Sequence, residues 1–426
     1  MIDDQVQNEI YSFIEELFPI CRSITGNGTR ETLRKIQQII PIQIKEVLSG
    51  TKVFDWEIPK EWNVKEAYIK TSLGEKVVDF KNSNLHLVNY SIPIHKKISL
   101  TELKPHLYSL PEKPNWIPYK TSYYKKDWGF CLSHKTLESL KEDIYEVVIN
   151  SELTNGALSF GELYLRGEVE DEVLISTHIC HPSMCNDNLS GISVNTFLAQ
   201  YLNKIQHKYS YRFLFIPATI GAITWLSQNE SILKNIKYGI VTALLGDNGK
   251  FIYKKSRNGN SEIDRIFDYT FSNSEYENEL REFTPYGYDE RQFCSPGINL
   301  PMGRFTRTPN QEFLEYHTSA DNLDFISAKN LYESYSMLKE IIQIIENNRI
   351  YENLNPKCEP QLGKRGIYNS VAGDIKEIEL AMLWVLNYSD GTNDLISIAK
   401  KSKIDFKVMI KATEILIKHN LLKKLK

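Results

Sequence analysis

A chain of 426 residues is long enough for two or three domains at roughly 100–200 residues each. Hydrophobic residues make up 42% and charged residues 25%, which excludes the disordered, fibrous and membrane-embedded classes. A formal net charge of -3 gives no basis for a polyanionic partner of the whole chain.

Residues 4–18 carry Ile10, Phe13, Ile14 and Leu17 on one stripe and are expected to form a helix. The segment MIDDQVQNEIYSFIEELFPI is acidic where a signal peptide is basic, and no window approaches the roughly 18 apolar residues of a spanning helix. A cytoplasmic protein without a membrane role is expected. A second helix is predicted over residues 30–40, after the Gly- and Asn-bearing loop CRSITGNGTR. From about Val53 to Leu110, short alternating runs broken by Gly, Asn and Pro predict a small inserted β-rich unit. Residues 112–128, EKPNWIPYKTSYYKKDW, are either a lid over a pocket or a long loop packed by its own aromatics.

YEVVINSEL, GALSFGELYLRG and DEVLISTH read as successive strands, the last an apolar run of the buried type. Helix GISVNTFLAQYL, buried strand YRFLFIPA, helix GAITWLSQN and buried strand KYGIVTALLG follow, and this alternation predicts an α/β domain. Ligands in such sheets collect at the carboxyl ends of the strands. Past Asn347 the connector NLNPKCEPQLGKRGIYNSVAG leads to three helical patterns with the spacing of a winged-helix or helix-turn-helix module. The expected division is 1–50 with 130–350 as a discontinuous α/β domain, 51–129 as the β-rich insert, and 351–426 as connector and winged helix. Lys400, Lys401, Lys403, Lys407 and Lys411 give the last unit the charge that phosphate contacts need, but no arginine follows Arg365. Protein contact, homo-oligomerisation or a lid is expected there ahead of nucleic-acid binding. The cysteines Cys21, Cys131, Cys180, Cys185, Cys294 and Cys358 show no CxxC pairing and are read as reduced thiols.

Chemistry concentrates at THICHPSMCNDNLSG, residues 177–191. His178 ends a buried strand, Asp187 opens a helix, Asp247 follows another strand and His317 sits in EYHTSADN. Imidazole and carboxylate are the ligands of catalytic zinc, which keeps one position open for water. Singly, each residue also has an ordinary reading: a structural hydrogen bond for His178, a helix cap for Asp187, a turn for Asp247. Their order, STH, NDNLSG, RFLFIPATIG, LLGDNG, YHTSADN, resembles the co-catalytic zinc aminopeptidase family, which includes glutaminyl cyclase-like members. The resemblance implies a zinc-exopeptidase-like mixed sheet flanked by helices, with His178, Asp187, Asp247 and His317 as metal ligands and Asp187 bridging. LFPICRSITGNG, VFDWEIPKEWNVKEAYI, PYGYDERQFCSPG and CEPQLGKRG extend the likeness to a bacterial group of aminopeptidase-like proteins with an inserted β domain, a C-terminal winged helix and an association with polysaccharide biosynthesis.

The sequence departs from that family at IPATIGA, where the glutamate base and the glutamate ligand to the second metal are replaced by Ala218 and Thr219. A methyl group takes no proton, and a Thr hydroxyl is a poor zinc ligand beside a carboxylate. One zinc ion rather than two is therefore expected, and three alternatives stay open: Asp289 or Glu290 serves as base, or His181 is itself a ligand or proton shuttle, or catalysis has been lost. Arg291 and Gln292 are candidates to hold a substrate carboxylate and Tyr286 and Tyr288 to line the pocket, although PYGYDERQFCSPG also fits a tightly turned, packed loop. Asp321 is read as ordering its loop or accepting the second N–H of a ligand histidine. The expected activity is a zinc-dependent aminopeptidase or amidohydrolase acting on a small peptide or other small amide. The alternatives are a non-catalytic binding protein of the peptidase fold and a winged-helix nucleic-acid-binding regulator.

Overall fold

A computed structural model describes residues 2–368 and 375–425, so part of the expected connector lies outside the described residues. The chain divides into two compact units, Met1–Asp264 with Glu275–Leu338, and Arg265–Ser274 with Lys339–Lys426. The second unit therefore begins before the boundary expected at 351 and takes in a short piece of the first span.

The first unit is built on β1 (Gln43–Leu48), β2 (Ala157–Leu165), β3 (Glu172–His178), β4 (Ser210–Ile216), β5 (Ile236–Thr242), β6 (Phe251–Lys254), β7 (Asn278–Arg281) and β8 (Met302–Thr306). They form one mixed sheet in the order β1-β2-β4-β3-β5-β8-β6-β7. Strands β4, β3, β5 and β8 run parallel, while β1, β2 and β6 pair antiparallel with their inner neighbours. Every residue of β3 is buried, as its unbroken apolar run requires. The chain leaves β3 to one side for β4 and returns to its other side for β5. The C-terminal end of β3 is thus a topological switch point, where open α/β sheets form ligand crevices.

Helices α1 (Ile2–Leu17), α2 (Asn27–Ile39), α3 (Gly191–Leu202) and α4 (Ile220–Gln228) flank this sheet. The predicted stripe Ile10, Phe13, Ile14 and Leu17 is buried, with Phe13 edge-on to Phe197 of α3. Helix α3 is apolar nearly all round and buried accordingly, and α4 buries Trp225 completely.

The inserted strands Lys76–Asp79, Glu61–Lys70, Ile144–Thr154 and Ile94–Ser99 form an antiparallel sheet in that order. The division expected at 129/130 cuts through it, because Ile144–Thr154 is one of its two inner strands. Gly26 marks the junction with α2: its φ is +98°, and a Cβ there would lie 2.2 Å from Trp62 O. Gly26→Ala is expected to lower stability by at least about 1–3 kcal/mol, measured as a shift in denaturant midpoint.

Arg30 of α2 reaches across to the insert, donating from Nη1 at 2.7 Å and Nη2 at 2.5 Å to the two carboxylate oxygens of Glu61. Chiefly through Arg30, the Glu61 carboxyl is lowered to about 2, below its ordinary 4.5. A depressed carboxyl stabilises the fold above its unfolded pKa, and that contribution disappears as pH falls from 4.5 through about 2. After solvent screening it amounts to about 1–2 kcal/mol. Urea titrations across this range should show an acid decline that is smaller in Glu61→Gln.

The second unit carries a three-stranded sheet, Asp390–Asp394, Ile350–Asn353 and Leu422–Lys424, with helices Glu377–Tyr388, Leu395–Ser402 and Phe406–Lys418. Met382, Val385, Leu395, Ile398, Met409 and Leu416 form its core, and the arrangement is a winged helix.

Candidate metal centre

His178 is delivered by the last register position of β3 and is 1% exposed. The following loop turns back so that the buried Asp187 Oδ1 lies 2.8 Å from His178 Nε2. Asp187 Oδ2 lies 3.0 Å from His317 Nε2. Both of those atoms are buried without a well-formed hydrogen bond, so they converge without satisfying each other. The ligand atoms of His178, His181 and Asp187 all lie within 4.8 Å of one another. The His181 ring stands 4.9 Å from that of His178 and 5.2 Å from that of His317.

Buried loops hold this carboxylate in place. Asp321 accepts the backbone N–H of Asn186 at 2.6 Å and of Asp187 at 2.9 Å. It orders the loop and does not bond a ligand histidine. Asn188 Oδ1 accepts Leu244 N–H and Asn186 Oδ1 accepts Gly246 N–H, tying the loop to the end of β5. His317 has a left-handed backbone, φ +54°, and its carbonyl accepts the Tyr119 N–H at 2.8 Å. The Tyr119 ring is edge-on to both His181 and His317, at 5.3 and 5.2 Å. The aromatic stretch of the insert is therefore a roof over the cluster.

Electrostatics suit a metal. Burial would raise the Asp187 carboxyl, but neighbouring His181, the hydrogen bond with His178 and the close approach of His317 outweigh it and hold it well below its usual value. Burial pushes His181 down to about 3, keeping the imidazole neutral as a ligand must be. Cys180 is pushed up to about 12 by burial, so it stays a thiol beside the site. Two imidazoles and one carboxylate, with His317 beside the carboxylate, match the donor set of a catalytic zinc.

Not every candidate joins them. Asp247 is engaged with its own loops: its oxygens accept from Asn186 Nδ2, Gly249 N–H and Thr308 Oγ1 at 2.7–2.8 Å, fastening two loops together. Glu290 is ion-paired with Lys254 at 2.5 Å and is no free base. Tyr286 is 58% exposed and bonded to Gln311, so it does not line a buried pocket. Tyr288 does approach, stacking on His178 at 4.7 Å. Asp289 is buried with both oxygens unpartnered, and burial pushes it up to about 7 against the influence of His178 and Arg291. Arg291 and Gln292 follow it in the short helix Glu290–Phe293, half-buried. Ala218 borders the site through its carbonyl, 3.8 Å from Cys180 Sγ. Sequence reasoning missed Arg22, whose buried Nε donates to His181 O at 2.9 Å. It also missed Tyr119 and Asn188 individually; the aromatic cluster PYKTSYY was the one signal for the former.

A mixed sheet with an imidazole–carboxylate cluster at its switch point defines an aminopeptidase-like fold. A zinc aminopeptidase from Bacillus subtilis shares it, with a TM-score of 0.58 at 12% identity over 80% of this chain and 95% of that chain. The chain belongs to the family described as Domain of unknown function (DUF4910), matched over residues 11–348, and residues 349–424 match a winged helix-turn-helix family. A Clostridium acetobutylicum protein, provisionally named for polysaccharide biosynthesis and an aminopeptidase-like domain, is 55% identical over 97% of this chain and 96% of its own length. A crystal structure from Clostridium acetobutylicum, provisionally described as a peptidase, has a TM-score of 0.95 at 53% identity and covers 99% of this chain and 97% of that one. Among the described residues no helix is long and apolar enough to cross a membrane.

Proposed function

We propose that this protein is a metal-dependent amidohydrolase with one zinc ion, held by three ligands drawn from His178, His181, Asp187 and His317 so that one position stays open, and that Asp289 replaces the missing glutamate as base. The observation that carries this reading is the buried carboxylate of Asp289, unpartnered and next in sequence to the tyrosine that stacks on His178. Zinc, when bound, supplies Lewis acidity toward the amide carbonyl. Asp289 takes the proton of the attacking water as the new C–O bond forms, and returns it to the leaving nitrogen as the C–N bond breaks. Tyr119 and the segment around it close the top of the site and limit it to small amides. The relative's association with polysaccharide biosynthesis supports N-acylated amino sugars beside aminoacyl amides as substrates.

Amine release by the zinc-loaded full chain from a panel of both amide types, abolished by chelator and restored by zinc, is the expected result. Stoichiometric zinc with no turnover of any amide would instead identify a binding protein of the peptidase fold, the reading that Ala218 and Thr219 favour.

The winged helix is a weaker basis for function. Lys400 is ion-paired with Asp268 and Lys401 lies over the Tyr388 ring, so both are engaged within their own unit. Exposed Lys407, Lys411 and Lys418 remain on its last helix, without an arginine to read bases.

A further inference from the structure

Near the cluster lies a charged group that hydrolysis does not use. Lys254, Arg304 and Glu290 are 3%, 5% and 0% exposed, two cations around one carboxylate. Lys254 Nζ donates to Thr284 O at 3.1 Å and Tyr286 O at 2.7 Å and forms an ion pair with Glu290 at 2.5 Å. Arg304 Nη1 donates to Asn310 Oδ1 at 2.9 Å and lies 3.6 Å from Glu290. Its Nε is buried with no partner. Asp289, which feels both Glu290 and Arg291, continues the stretch with Arg291, so three cations stand against two carboxylates and positive charge is in excess. A buried charge without a counter-charge is costly, and its retention calls for a partner that arrives from outside.

The surroundings place that partner. Gly287, at φ +143°, brings bare backbone against the group: a Cβ there would lie 2.7 Å from Arg304 Nη1 and 2.3 Å from Glu290 Oε1. The Arg304 guanidinium stands 5.5 Å from the centroid of the Tyr288 ring, the same ring that stacks on His178 at 4.7 Å. The free donor is therefore one aromatic ring away from the proposed metal ligands.

We propose that Arg304 binds an oxyanion, a carboxylate or a phosphate, carried by the substrate of the neighbouring site. A guanidinium fork matches either group. The word substrate rests on the hydrolytic reading, whereas anion capture requires neither metal nor turnover.

The test is calorimetric titration of the zinc-free full chain with inorganic phosphate and, separately, with glutarate, in wild type, Arg304→Met and Arg304→Lys. Wild type is expected to bind at least one anion saturably, and the arm that binds names the group. Arg304→Met should lose about tenfold or more in affinity while its Tm stays at or above that of wild type, because the surplus charge is gone. Arg304→Lys should weaken binding by losing the fork. Failure of wild type to bind either anion overturns the proposal. So does unchanged binding in Arg304→Met, or a fall in its Tm that Arg304→Lys restores without any effect on affinity. Failure of the hydrolytic reading would show separately, as anion binding without amide cleavage.

Discussion

Asp187→Ala is expected to strip the site of zinc. This carboxylate contacts His178 at 2.8 Å and His317 at 3.0 Å and lies within 4.8 Å of the His181 ligand atom, so one substitution removes the element that gathers all three imidazoles. Ala218 and Thr219 stand where the family has glutamates, and Asp247 already accepts from Asn186, Gly249 and Thr308, so none of these positions offers a free carboxylate in its place. The loss in zinc affinity should exceed the about 10–100-fold typical of residues that only orient ligands. Competition with a chromogenic chelator measures it, and circular dichroism checks that the loop still folds. An affinity within a few-fold of wild type would remove Asp187 from the ligand set.

The second large effect is expected at Asp289. Asp289→Asn keeps the shape of the side chain and removes its ability to take a proton, so kcat should fall by about 100–10,000-fold while zinc content is unchanged. The pH profile supplies the sign. A base works deprotonated, so activity rises with pH through the base's pKa; burial raises Asp289 toward about 7, and a nearby bound cation draws it lower. The acid limb of wild-type kcat/KM should therefore lie between the ordinary carboxyl value of 3.8 and about 7, and should vanish in the residual activity of Asp289→Asn. Persistence of the limb would assign the base elsewhere.

The central strands and helices were legible because burial is written into composition: VLIST and FLFI are buried on both faces, and their apolar runs say so. His178 was legible as the first polar ring after such a run. Asp247 was ambiguous because a ligand aspartate and a turn aspartate look alike in GDNG; the fold adds Asn186 and Thr308 reaching its oxygens. The reach of the insert was underestimated because Ile144–Thr154 reads equally well as a strand of either sheet, and pairing with Glu61–Lys70 is a long-range choice. Tyr119 carried only the signal of its aromatic cluster, and Arg304 none. The first meets His317 across a large loop, and the second sits inside β8 where a buried arginine is unexpected.

The most direct measurement is zinc per chain, by elemental analysis of the full-length protein purified without chelator and again after dialysis against excess zinc. Close to one equivalent that survives dialysis is the predicted result, because one carboxylate and three imidazoles form a single site. Two equivalents, or none even after zinc is supplied, would contradict it.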